Sequence, residues 1–173
     1  MFGFSSCTTT KRLKLPPLET VESVELERYL GTWYEIASYP QWFQKGCTAT
    51  TANYTLREDG LIEVLNQCRR GSLDAPVDEA VGLARVSNVS TNAELEVSFF
   101  RPFWGDYWII DLDSDYQYAV VGDPGRDYLW ILSRTPAMER MLFVEVLARI
   151  EAKGYEISRL QKTKHSPQGP TNE

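Results

Sequence analysis

The feature that most constrains this chain is a run of eight short strand-like segments, several alternating apolar with polar residues, separated by turn-forming residues. They fall at residues 31–38, 48–57, 61–69, 79–87, 94–101, 107–113, 117–122 and 128–134. Alternation is the period of a strand, because successive side chains point to opposite faces. In 94–101, Leu95, Val97 and Phe99 alternate with Glu94, Glu96 and Ser98, so one face is apolar and the other has to meet water. Between the second and third segments Glu58-Asp59-Gly60 supplies the positive φ that a hairpin demands, and Asp59-Gly60 reads as a two-residue turn. Asp113-Ser114-Asp115 and Asp123-Pro124-Gly125 mark later turns.

One long helical pattern follows the strands. Thr135-Pro136 opens it, Met138, Met141, Leu142, Val144, Val146, Leu147 and Ile150 form its apolar stripe, and Gly154 ends it. Residues 24–30 read as a short helical turn and residues 155–160 as an added edge strand. Eight sequential strands and one helix suit an all-β fold, an eight-stranded antiparallel up-and-down β-barrel with one C-terminal α-helix packed outside. A two-sheet sandwich satisfies the same pattern. At 173 residues the chain has one domain's worth of core. The expected organisation is a flexible tether or signal remnant over 1–23, the barrel and helix over 24–162, and a disordered tail over 163–173.

A net charge of −6 would repel a phosphate backbone, so nucleic acid is excluded as an expected partner. No apolar run reaches the roughly 20 residues of a membrane-spanning helix. An outer-membrane barrel would need the opposite assignment, apolar outward over a band of ~25 Å and polar toward the lumen, with strands that are usually longer, and Glu94 and Glu96 argue against it. With the apolar side inward, eight strands enclose an interior that is either packed solid or holds one small ligand. The inward candidates, including Ala52, Tyr54, Leu56, Ile62, Val64, Gly82, Ala84, Val97, Phe99, Tyr107, Ile109, Ala119, Val121 and Trp130, mix large aromatics with very small residues.

Three motifs carry a family resemblance. Gly31-Thr32-Trp33-Tyr34-Glu35-Ile36-Ala37 resembles the G-x-W signature that opens the first strand of lipocalins. Asp115-Tyr116-Gln117-Tyr118-Ala119 resembles the family's second motif, between the sixth and seventh strands, and Tyr128-Leu129-Trp130-Ile131-Leu132-Ser133-Arg134-Thr135-Pro136 its last strand with the terminal arginine. A guanidinium lying over an indole closes the narrow end of a barrel, which makes Gly31, Trp33 and Arg134 an expected structural latch. The runs RYLGTWYEIA, SFFRPFWGDYW and RDYLWILSRTP are similar to bacterial outer-membrane lipocalins, with apolipoprotein D and plant temperature-induced lipocalins more distant; the resemblance covers residues 26–160.

The resemblance implies a lipocalin calyx that binds a small hydrophobic ligand, a fatty acid or lysophospholipid, in cell-envelope lipid maintenance. It implies a ligand site at Ala52, Tyr54, Val64, Ala84, Val97, Phe99, Tyr107, Ile109 and Trp130, with Trp130 foremost. The mouth would be framed by Tyr39-Pro40-Gln41-Trp42-Phe43 and Phe100-Arg101-Pro102-Phe103-Trp104, whose aromatics suit loop packing, lipid entry, membrane contact or a homodimer. Two other functions stay open: a soluble carrier of a pigment or tetrapyrrole, and a solid barrel that binds a protein.

Phe4-Ser5-Ser6-Cys7 resembles the end of a bacterial lipoprotein signal, with Phe4 where leucine is usual, which makes Cys7 a candidate lipid anchor on a membrane surface. The outer membrane, periplasmic side, is the location this implies; a soluble periplasmic or cytoplasmic protein, with Cys7 an ordinary thiol in a tail, is the alternative. Cys47 and Cys68 suit a disulfide in an exported protein. A two-residue Asp59-Gly60 turn, however, sets Cys68 opposite Thr51, four residues from Cys47, too far to bridge without a bulge or fold-back. Both a bridge and two free thiols remain open.

Catalysis is not expected. His165, the sole histidine, falls in the expected tail, so no Ser-His-Asp or Cys-His arrangement and no histidine-based metal site can form in the core. Asp111 and Asp113 read as solvated strand-end residues rather than a hydrolytic pair, and no cofactor is expected. Glu35 lies on the face of Trp33, so a hydrogen-bond partner is expected for its carboxylate.

Overall fold

The alternating segments form one closed antiparallel barrel in the computed structural model, which describes residues 15–166. A helical turn α1 (Leu26–Tyr29) precedes β1 (Gly31–Ser38), β2 (Cys47–Leu56), β3 (Ile62–Arg70), β4 (Val77–Val86), β5 (Glu94–Phe100), β6 (Phe103–Leu112), β7 (Tyr118–Gly122) and β8 (Leu129–Ser133). Helix α2 (Arg140–Ala152) and a two-residue strand β9 (Gln161–Lys162) follow. From β1 to β8 each strand pairs with the next, β1 closes the ring by pairing with both β8 and β2, and β9 pairs with β1. Closure leaves few free edges, which is how a sheet of this size avoids pairing with other chains.

Two apolar clusters follow from the alternation. Inward residues, among them Trp33, Tyr54, Val64, Leu95, Ile109 and Val121, pack inside the barrel. Outward residues of β1, β6, β7 and β8, including Ala37, Ile110, Val120 and Ile131, pack against Val146 and Ile150 of α2. Burying those two helix side chains stabilises the docked helix by about 2 kcal/mol each. Arg149 adds a 2.7 Å ion pair to Asp111 and donates to the Tyr118 hydroxyl at 2.8 Å.

Several expectations are corrected. Helix α2 begins at Arg140, not Thr135, because Thr135 Oγ1 donates to the Ala137 carbonyl in a separate turn, and Glu139 caps the helix by accepting from Leu142 N–H at 2.8 Å. Met141 and Val144 face solvent, so the buried stripe is narrower than the sequence pattern. Strand β6 starts at Phe103, which shortens the expected mouth loop to a tight turn and puts Trp104 on the barrel wall, with the Arg85 guanidinium 4.2 Å from its ring centre.

The β2–β3 turn has three residues rather than two. Gly60 N–H donates to the Arg57 carbonyl (3.1 Å), Arg57 N–H to the Leu61 carbonyl (2.9 Å), and Gly60 takes φ +80°. Thr51 is therefore opposite Gln67. A bulge follows between Thr51 and Thr48, with Ala49 at φ +50°, and it draws the start of β2 toward Cys68. The Cys47–Cys68 disulfide forms, with the Cα atoms 5.4 Å apart. The bulge meets the condition that the sequence set for a bridge.

Both expected tails are partly built into the fold. Within 1–23, the residues described here are not a loose tether: Leu18 is buried against the α2 side, Val21 N–H donates to Ile109 O (3.0 Å) and Arg126 holds Pro16 O (2.8 Å). Apolar Leu18 and Val21 supply the reason, since both remove surface from water. Residues 155–160 carry a 3-10 turn (Ile157–Arg159), and the added strand is Gln161–Lys162. Residues 163–165, expected to be disordered, run on from that strand between β1 and β2 without forming strand themselves: Thr163 N–H donates to Ile36 O (3.0 Å) and Ala49 N–H to Lys164 O (2.7 Å). Unpaired backbone on both flanking strands finds its partners there. Cys7 and residues 167–173 lie outside the described residues.

Candidate functional site

The closed end is built around Trp33, which is fully buried and donates its indole N–H to Tyr29 O at 2.8 Å. Arg134 lies over it with the guanidinium carbon 3.7 Å from the ring centre. Its nitrogens donate to the carbonyls of Thr32 (3.0 Å), Arg28 (2.6 Å) and Tyr116 (3.2 Å), tying α1, β1 and the β6–β7 turn together. Burial pulls the guanidinium below its ordinary pKa, an effect the neighbouring Tyr29 opposes. Gly31 has φ +89°, a conformation that side-chain-bearing residues rarely adopt, while a Cβ there would make only ordinary contact with Nη1 at 3.6 Å.

Above the latch, three phenols form a buried chain. Tyr107 Oη lies 2.7 Å from Tyr29 Oη and 2.8 Å from Tyr54 Oη. Burial pushes the Tyr54 hydroxyl up to about 12, and Tyr29 and Tyr107 well above their ordinary value, so all three are neutral at physiological pH.

The nine residues expected at the ligand site come together on one lining. Tyr54, Val64, Ala84, Tyr107 and Ile109 are buried in the inner cluster, and Ala52, Val97, Phe99 and Trp130 pack against it, half-buried. Gly82 has no side chain where the Phe99 ring crosses; a Cβ there would meet the ring at 2.8 Å. Trp130 stacks on Tyr128 (ring centres 5.9 Å apart, 12° between planes) and donates its indole N–H to Gln44 Oε1 at 3.2 Å.

Gln44 leads to a part of the site that periodicity does not mark. Its amide nitrogen donates to Glu35 Oε2 at 2.9 Å, and Thr163 Oγ1 donates to Glu35 Oε1. These residues border a cavity of about 520 Å³ between the β1–β2 loop and the C-terminal strand, with Ser38, Trp42 and Lys45 also on its wall. Alternation places Glu35 inward, but Gln44 and Thr163 come from a loop and a tail that carry no periodic signal. At the rim Trp42 is 82% and Phe103 76% exposed, with Phe43 and Phe100 also open to solvent.

The candidate carboxylates have structural partners. Asp111 holds Arg149, and Asp113 accepts from the N–H groups of Asp115 and Gln117, both at 3.1 Å. His165 Nε2 contacts Glu35 O at 2.6 Å, and its ring meets Tyr34 edge-on. The lining is chemically suited to an apolar guest; among the described residues it groups no three side chains suited to a metal ion.

A family model for a lipocalin-like domain matches residues 24–165. Temperature-induced lipocalin-1 of Arabidopsis thaliana is 41% identical over 165 residues, 88% of this chain and 86% of that protein. Outer membrane lipoprotein Blc of Escherichia coli (strain K12) is 42% identical over 149 residues, 83% of this chain and 82% of its own. Insecticyanin from the tobacco hornworm Manduca sexta superposes with a TM-score of 0.69 at 18% identity, over 88% of this chain and 87% of that one, a likeness of fold.

Proposed function

Because the chain belongs to the lipocalin family, whose members are generally binding proteins for small hydrophobic ligands, we propose that its barrel takes up a single-chain amphiphile, a fatty acid or lysophospholipid. The acyl chain lies along Trp130, Phe99, Val97 and Ala52, and the polar head stays at the mouth. The observation that carries this reading is the convergence of nine apolar residues on one inner lining, beneath a mouth that holds a cavity and exposed aromatics. Apolar burial at about 25 cal/mol per Å² supplies the affinity, and no bond is made or broken.

The role that fits is holding or carrying such lipids during maintenance of the cell envelope. The name of one relative, outer membrane lipoprotein, together with the Phe4-Ser5-Ser6-Cys7 sequence, supports a protein tethered to the outer membrane by a lipid on Cys7. Trp42 and Phe103 at the rim, beside Lys45 and Arg101, suit contact with the bilayer from which the lipid is drawn.

Native mass spectrometry of the purified protein with lipid extraction, alongside quenching of tryptophan fluorescence by titrated oleate, tests the proposal. One lipid per barrel and saturable quenching are expected, with Trp130→Ala weakening binding about tenfold. No bound lipid and no saturable quenching would sink it.

A further inference from the structure

A carboxylate taken out of water is ordinarily paired with a cation. Glu35 is only 6% exposed, yet its two hydrogen bonds come from neutral donors, Gln44 and Thr163. No Lys, Arg or His among the described residues forms an ion pair with it. His165 is near, but its Nε2 meets the main-chain oxygen of Glu35, not the carboxylate. Lys45 borders the same cavity and forms no ion pair among the described residues, and Lys162 is turned to α2, its amine 4.6 Å from the Phe143 ring centre. Each carboxylate oxygen has a second lone pair, so both retain acceptor capacity.

We propose that the cavity beside Glu35 is a head-group site selective for an ammonium-bearing amphiphile, the cation set between the Glu35 carboxylate and the Trp42 indole. An ammonium supplies the missing counter-charge and a charge-assisted hydrogen bond, and the indole adds cation–π attraction. In a zwitterionic lysophospholipid the phosphate then turns toward Lys45 on the same loop. A bare fatty acid would bring a second negative charge to Glu35 and is disfavoured. This proposal rests on the barrel reading above and narrows its ligand class.

The test uses the full chain and two probes with the same oleoyl tail, lysophosphatidylethanolamine and lysophosphatidylglycerol, titrated by calorimetry with oleate in parallel. The ethanolamine lipid is expected to bind about tenfold tighter than the glycerol lipid, and Glu35→Gln to bring that ratio to about one. Trp42→Ala, at a largely exposed position where folding is not at risk, is expected to lower the ratio about threefold. Equal affinities in the unaltered protein, or a ratio that survives both substitutions, would overturn the proposal. If neither lysolipid nor oleate binds saturably, the barrel reading itself fails and takes this one with it.

Discussion

The two ends of the barrel are built on opposite terms. At the closed end a fully buried indole, a guanidinium bound to several carbonyls and a chain of three phenols use nearly every polar group they bury. At the mouth, large aromatics stand in solvent, a carboxylate lies buried without a counter-ion among the described residues, and a disulfide fastens a bulged strand. The most exposed large aromatic side chains among the described residues, Trp42, Phe100 and Phe103, belong to the mouth. Stability is concentrated at the closed end and unsatisfied surface at the mouth, where entry of a ligand is proposed, which is how a rigid frame can present an adaptable opening.

Trp33→Ala is the largest test of that contrast. It removes the ring on which Arg134 rests and leaves a cavity at the packed end, so urea unfolding should show a loss of about 4 kcal/mol. Trp130→Ala, the same truncation on the half-buried wall nearer the mouth, should cost about 2 kcal/mol. Equal losses would mean that the two ends are not differently built.

Tyr107→Phe probes the phenol chain. Both Tyr29 and Tyr54 lose their shared partner inside the barrel, at a cost of about 2 kcal/mol. The chain also makes stability depend on alkaline pH. An unfolded tyrosine loses its proton from about pH 10, whereas folded Tyr54 keeps it to about 12 and its two neighbours are raised as well. Between those values the folded state binds more protons, so stability falls as pH rises. Melting temperatures across that window should drop steeply in the unaltered protein and less steeply in Tyr107→Phe. Parallel slopes would remove the phenols from the explanation.

The same contrast separates what the amino-acid sequence discloses from what it conceals. The closed end and the inner lining were legible because they rest on strand periodicity and on a tryptophan and an arginine at recognisable places: Trp33, Arg134 and all nine lining residues lie as their alternation requires. The mouth depends on departures from period. A non-glycine residue at positive φ, Ala49, inserts the extra residue that makes the disulfide possible, and nothing in Thr48-Ala49-Thr50-Thr51 advertises it. Residues 163–165 have no pattern of their own; they are ordered by free backbone groups at Ile36 and Ala49, more than 100 positions away in the chain. Glu35 could be placed inward from Trp33, but its partners came from the two segments without periodicity.

The smallest expected effect on stability is the most pointed test of the mouth. Phe103 is 76% exposed, so Phe103→Ser should change unfolding free energy by no more than about 0.5 kcal/mol. If the rim meets a bilayer, the same substitution should weaken partitioning onto phosphatidylethanolamine and phosphatidylglycerol vesicles about tenfold, because a phenyl ring leaving water gains about 1.5–3 kcal/mol. Co-sedimentation of the folded variant measures this directly. A shift in stability without a shift in partitioning would assign Phe103 to the packing of its hairpin, and the mouth would then differ from the closed end only in its solvation. A shift in partitioning alone would show that the exposed aromatics are kept for a surface outside the molecule, since solvent gives them no stabilising contact to lose.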